Sequence, residues 1–195
     1  VSYLITTKEN KMKKIFAILA LAAIAGTAMA GDTATVEYQN MNTTGGADQK
    51  NMGLAVKHEF SQSVAGDVSI GSTVTEGTNA LSTRMEAGAT YTAPIGFGLN
   101  GYVRGAMGQK FTNTGDFSYY AVEPGVSTSF GAVTVKAGYR YRSAIDSTTN
   151  NDQTHTTRLG VAYALTKNDT VGVRFDRVRG DSVQNVTAVN YTRGF

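Results

Sequence analysis

From Thr33 onward the chain alternates apolar and polar residues with a period of two, in stretches of about ten residues separated by turn-forming clusters, and no window shows a helical period. Ten such stretches are read, at 33–41, 52–61, 67–76, 83–92, 97–108, 118–129, 132–143, 155–165, 169–178 and 185–195. This excludes helical and α/β folds and leaves an all-β domain in which every strand has two unlike faces. One face carries Val68, Ile70, Val74, Met85, Ala87, Tyr91, Val133, Val135, Leu159, Val161 and Tyr163. The other carries nearly all the charge, including Glu37, Lys57, Glu59, Glu86, Lys136, Arg140, Arg158, Arg174 and Asp176. A soluble sandwich and a membrane barrel share this alternation, so periodicity alone does not separate them.

Three further features favour the barrel. Connections alternate between short ones ("QSVAG", "APIG", "FG", "TKN") and mostly longer polar ones ("NTTGGADQKN", "GTNALS", "QKFTNTGDF", "AIDSTTNND", "RGDSVQ"). Tight turns at one end and polar loops at the other are expected of a transmembrane barrel. Aromatic residues cluster beside the short turns at Phe60, Tyr91, Phe97, Phe130, Tyr163 and Phe195, as an interfacial girdle requires. The polar face is rich in glycine (Gly53, Gly71, Gly88, Gly138, Gly160, Gly172), as a crowded lumen needs. A length of about ten residues suits a tilted membrane-spanning strand. The prediction is a transmembrane antiparallel up-and-down β-barrel of ten strands, with eight as the alternative should a short stretch be mis-assigned.

The N-terminus agrees with an exported protein. "MKKIFAILALAAIAGTAMA" at 12–30 has a basic start at Lys13 and Lys14, an apolar run and a small-residue Ala28-Met29-Ala30 site, which reads as a secretory signal peptide cleaved before Gly31. Residues 1–11 read as an over-extended start, and 31–195 as the barrel. Removing Lys8, Lys11, Lys13, Lys14 and Glu9 from 18 basic and 15 acidic residues leaves 14 of each, so the basic pI belongs to the targeting segment. Without cysteine, stability must come from strand pairing and packing.

The signal peptide, the alternating strands and the terminal "VNYTRGF" resemble the outer-membrane β-barrel superfamily of Gram-negative bacteria, from porin-like to opacity-type surface barrels. The resemblance implies an outer-membrane location, reached through the periplasm. It also implies that the last strand serves as an assembly signal, here Tyr191 and Phe195, for the barrel-assembly machinery. Arg193 departs from that pattern, which prefers an aromatic or large apolar residue at its place. The implied surroundings are outer-membrane lipid and lipopolysaccharide, with a monomeric protein.

Candidate pore-lining residues are Arg104, Lys136, Arg140, Arg158 and Arg174, facing Glu37, Glu86, Glu123 and Asp176. A barrel of about eight strands is filled by its side chains, whereas 16–18 strands leave a channel, so ten lies close to filled. Two functions stay open. One is a narrow porin-like channel whose basic wall attracts small or anionic solutes. The other is a non-conducting structural or adhesin-like barrel presenting its loops. Pairing of every arginine with a carboxylate would weaken the first.

Catalysis is not expected. His58 and His155, the two histidines, belong to opposite strand ends, roughly 20–30 Å apart at 3.3 Å per residue, and form no dyad. An aspartate partner for His155, at Asp146 or Asp152, is conceivable but reads as a solvated loop residue. No phosphate loop, metal-ligand cluster, cofactor motif or nucleic-acid signature appears. "RGD" at Arg179–Asp181 reads as a polar turn in the last outer loop, and Pro124 as a bulge or kink.

Overall fold

The computed structural model describes residues 31–195 except Asn79, Thr114 and 146–151. The over-extended start, the signal peptide and Asp146 therefore lie outside the described residues. Ten antiparallel strands follow one another: β1 (Asp32–Thr43), β2 (Gln49–Glu59), β3 (Val64–Thr75), β4 (Leu81–Gly96), β5 (Leu99–Phe111), β6 (Phe117–Phe130), β7 (Val133–Ala144), β8 (Gln153–Ala164), β9 (Asp169–Gly180) and β10 (Gln184–Gly194). Each pairs with its neighbours in sequence, and β1 closes on β10 from Thr33↔Gly194 to Thr43↔Gln184. The wall is a closed up-and-down barrel, which excludes the eight-strand alternative. Closure matters because an open sheet edge in lipid leaves backbone groups unpaired at several kcal/mol each. At the seam, the Phe195 amide donates to the Asp32 carbonyl at 3.0 Å.

The two faces sort as a barrel in lipid requires. Val36, Met52, Val68, Val103, Met107, Leu159, Val161, Val173 and Val189 are all exposed on the outside. Gln39, Asn51, Glu86, Glu123, Arg140 and Asp176 are buried inside. A water-soluble barrel would show the reverse, so the chain is inverted for an apolar solvent. Phe60, Tyr91, Phe97, Phe130, Tyr163 and Phe195 are likewise exposed, around the end that holds Gly31, Phe195 and the short turns.

Three local readings are corrected. Strand β4 extends through Pro94 to Gly96 with a register shift between those two residues, so Phe97 stands in a turn at φ 55° and β5 begins at Leu99. Pro124 makes no bulge. The β6–β7 ladder skips from Val122↔Tyr141 to Gly125↔Gly138 with its register unchanged, because proline has no N–H to offer. Arg179 and Gly180 belong to β9, and Asp181 accepts a bond from the Gln153 amide, so the Arg-Gly-Asp triplet is tied to the wall instead of standing in an outer loop.

Candidate functional site

The lumen is filled by charged side chains that the two-residue period aims inward. Two chains of alternating charge cross it. In the first, Arg104 on β5 donates to Asp67 on β3 (Nε–Oδ1 2.9 Å, Nη2–Oδ2 2.5 Å) and to Glu86 on β4 (2.7 Å). Glu86 then accepts both Nη groups of Arg140, which reaches over from β7, and the Tyr119 hydroxyl at 2.8 Å. In the second, Arg158 on β8 donates to Glu123 on β6 at 2.6 Å and faces Asp176 on β9 at 3.5 Å. Arg174 donates to Asp176 at 3.1 Å and to Glu37 on β1 at 2.7 and 3.1 Å. Four of the five predicted basic residues and all four predicted acidic ones thus meet in one ion-paired waist.

Lys136 is the exception. Its Nζ stands 4.0 Å from the centroid of the Tyr102 ring, and no carboxylate lies within 4.0 Å of it among the described residues. Tyr102 in turn donates to Glu123 at 3.3 Å. The long inward side chains sit in seats made by glycines on neighbouring strands. A Cβ on Gly88 would collide with the Arg104 guanidinium, one on Gly108 with the Tyr119 hydroxyl, and one on Gly125 or Gly138 with the end of Tyr102. The glycine-rich polar face is therefore a set of sockets, and the barrel closes around aromatic and arginine side chains that a run of alanines would exclude.

A cavity lies on each side of the waist. The inner one, about 260 Å³, is lined by Tyr102, Thr134, Lys136, Gly160, Gly172 and Asn190. The outer one, about 350 Å³, has Arg84, Lys110, Arg140 and Arg142 on one side and Gln39, Asn51, Thr73 and Gln184 among its other lining groups. Arg158 and Arg174 line both, so the two cavities are separated by side chains. In the outer cavity Arg142 is paired with Asp152 at 2.9 Å, whereas Arg84 and Lys110 meet no carboxylate within 4.0 Å among the described residues. Lys110 stands over the Phe117 ring at 5.5 Å.

Asp67 and Lys110 were missed in the sequence. Asp67 opens its predicted stretch and reads as a turn residue, and Lys110 falls just past the predicted end of its stretch. The histidines lie apart on the outside: His58 Nδ1 meets Asp32 at 2.5 Å beside the short turns, and His155 Nδ1 meets the Tyr139 hydroxyl at 2.5 Å toward the other end. Asp152 turns to Arg142, not to His155.

No protein-family model and no curated protein matches the sequence. Among solved structures, the NanC porin superposes with a TM-score of 0.55 at 10% identity, covering 82% of this chain and 100% of that one. The translocator domain of the autotransporter NalP from Neisseria meningitidis gives 0.47 at 11% identity (97% and 98% covered). Neisserial surface protein A gives 0.44 at 13% identity (84% and 96% covered). With its closed ten-strand wall and inverted faces, the chain has the fold of the porin-like outer-membrane β-barrels.

Proposed function

We propose that the protein is an integral barrel of a Gram-negative outer membrane that gives small solutes, anions above all, a narrow path constricted at the ion-paired waist. The observation that carries this is the distribution of unpaired charge. Among the described residues, Arg84 and Lys110 in the outer cavity and Lys136 in the inner one have no carboxylate within 4.0 Å, while the four arginines of the waist between them are all ion-paired. Cations left unpaired in a lumen are tolerable only where water reaches them, and there they draw counter-ions toward the constriction. Because only side chains separate the cavities, rotamer motion at Arg158 and Arg174 suffices to join them.

The second reading, a non-conducting barrel that presents its loops, is favoured by one observation. Arg104, Arg140, Arg158 and Arg174 are all ion-paired across the lumen. Single-channel recording under a salt gradient decides between the two. The channel reading expects small discrete steps and a reversal potential on the anion side, moved toward zero by combined Arg84→Gln, Lys110→Gln and Lys136→Gln substitutions. Electrical silence from barrels whose insertion is proven by heat-modifiable gel migration would sink it and leave the loop-presenting barrel.

In this reading the protein is made with a signal peptide and crosses the periplasm, and Tyr191 and Phe195 present the closing strand to the assembly machinery. Both side chains face outward on the seam strand or at its end. The chemistry is passage and not catalysis, and no cofactor enters it.

A further inference from the structure

The geometry points to a binding site for the phosphate of an outer-leaflet glycolipid on the outside of the wall, held by Arg177 and Arg179. Both arginines face outward on β9 and are exposed, at the end of the barrel away from Gly31 and Phe195. They are two residues apart on one face, about 7 Å along the strand, close enough for two guanidinium groups to converge on one phosphate. The register sets Arg179 beside His155, and His155 beside Tyr141, in one lateral row. Tyr141 stacks 5.2 Å from His155 and 6.1 Å from Tyr120.

Below this row the outer surface is apolar, with Leu159, Val161, Val173 and Phe175 exposed. The row therefore stands at the water–lipid boundary, where aromatic rings settle and where lipid headgroups lie. Arginines at such a boundary ordinarily pair with acidic neighbours. Here, among the described residues, neither has a carboxylate within 4.0 Å. Arg177 donates to the Asn185 amide oxygen. Among the described residues of the adjoining loops, Asp152 is engaged by Arg142 inside the lumen and Asp181 by the Gln153 backbone. Two unneutralised guanidinium groups on a lipid-facing wall are thus left for an anion that the membrane supplies. In the outer leaflet of this membrane that anion is a phosphate on a glycolipid, which suits bidentate arginine.

The site rests on the membrane placement proposed above and not on conduction. The protein, purified from outer membranes and delipidated in detergent, is titrated with lipopolysaccharide carrying both lipid A phosphates, with the dephosphorylated form, and with phosphatidylglycerol, reading bound lipid by native mass spectrometry. The Arg177→Gln/Arg179→Gln double variant is expected to bind the phosphorylated glycolipid at least about tenfold more weakly. Dephosphorylation should bring the wild type to the same level, and phosphatidylglycerol should not distinguish the two proteins. Arg193→Gln, an exposed arginine at the opposite end already paired with Asp169 at 3.7 Å, should change nothing. Equal binding by wild type and double variant overturns the proposal. So does an equal loss in Arg193→Gln, or an equal discrimination with phosphatidylglycerol. Arg179→Gln alone provides a milder variant, and heat-modifiable migration verifies that each is folded. Single-channel currents unchanged in the double variant would keep this result separate from the fate of the channel reading.

Discussion

Replacing Glu86 with glutamine tests whether the waist is held by ion pairing or merely contains charges. The Glu86 side chain is 4% exposed and accepts from Arg104, from both Nη groups of Arg140 and from the Tyr119 hydroxyl. Glutamine keeps the shape but removes the charge and turns an amide N–H₂ toward a guanidinium. Arg104 retains Asp67 at 2.5 Å. Arg140, 8% exposed, has no other carboxylate within 4.0 Å among the described residues and is left as a buried, uncompensated cation. Stranding one partner of a buried pair costs about 3–5 kcal/mol. Since Arg104 keeps its second partner and water reaches the cavities on both sides, about 3 kcal/mol is expected. Adding Arg140→Gln removes the stranded charge, so the double variant should be more stable than Glu86→Gln alone, with a coupling of about 2 kcal/mol. Urea titration of folding in detergent bicelles measures both. The chain has no tryptophan, so far-UV circular dichroism and heat-modifiable migration report the transition. The slope with urea must stay constant for the difference to be a stability. A shift below about 0.5 kcal/mol with additive effects would refute the reasoning, because the waist would then be hydrated enough to ignore the loss.

Gly138→Ala should destabilise the barrel by about 1–3 kcal/mol, because its methyl group meets the Tyr102 hydroxyl; adding Tyr102→Ala should remove that penalty in the same titration. Phe195→Ala leaves the seam hydrogen bond from its amide to Asp32 intact, so the purified variant should match the wild type in stability, while insertion by isolated assembly machinery should slow severalfold. A loss of stability without a loss of rate would mean that the ring serves the wall and not its assembly.

The wall was legible and the pairing was not, for a geometric reason. A period of two sorts side chains onto two faces whatever the register, so Val161 outward and Arg158 inward follow from the string of residues. All ten strands could be counted because polar clusters separate them. The boundaries blurred at "APIGFGLN", where β4 runs on through Pro94 and Ile95 to Gly96 and the turn is built on Phe97. Which charges meet depends instead on the stagger of strands around a closed cylinder. Arg140 reaches Glu86 from 54 residues away and from a strand that is not its neighbour, a contact no spacing rule encodes. The sequence set Arg104, Lys136, Arg140, Arg158 and Arg174 against Glu37, Glu86, Glu123 and Asp176 as two facing groups. The observed waist is finer grained, since Asp176 stands on β9 beside Arg174 and splits the basic wall. The exterior arginine row was hidden in another way: "RGD" looks like a turn until β9 is seen to run through Gly180.

The pairing pattern itself says where water stands. A charge in a dry, crowded layer must be matched, since desolvation costs several kcal/mol per ion and only a well-placed partner offsets it. At the waist the matching is nearly complete: Asp67, Glu86, Glu123, Asp176 and Glu37 between them hold Arg104, Arg140, Arg158 and Arg174. Away from it Arg84, Lys110 and Lys136 have no carboxylate within 4.0 Å among the described residues, and two of these rest against aromatic rings. The lumen thus holds two chambers with uncompensated cations, joined through a waist in which five carboxylates hold four arginines. In the proposed channel an anion entering from outside would be attracted by Arg84 and Lys110, and to pass it would have to take a guanidinium from Glu123, Asp176 or Glu37 and return it. Each exchange trades one charge-assisted hydrogen bond for another, so the barrier is set by side-chain rearrangement more than by lost contacts. If the proposed channel conducts by this exchange, its current should saturate with anion concentration, whereas that of a fixed open pore of the same wall should not.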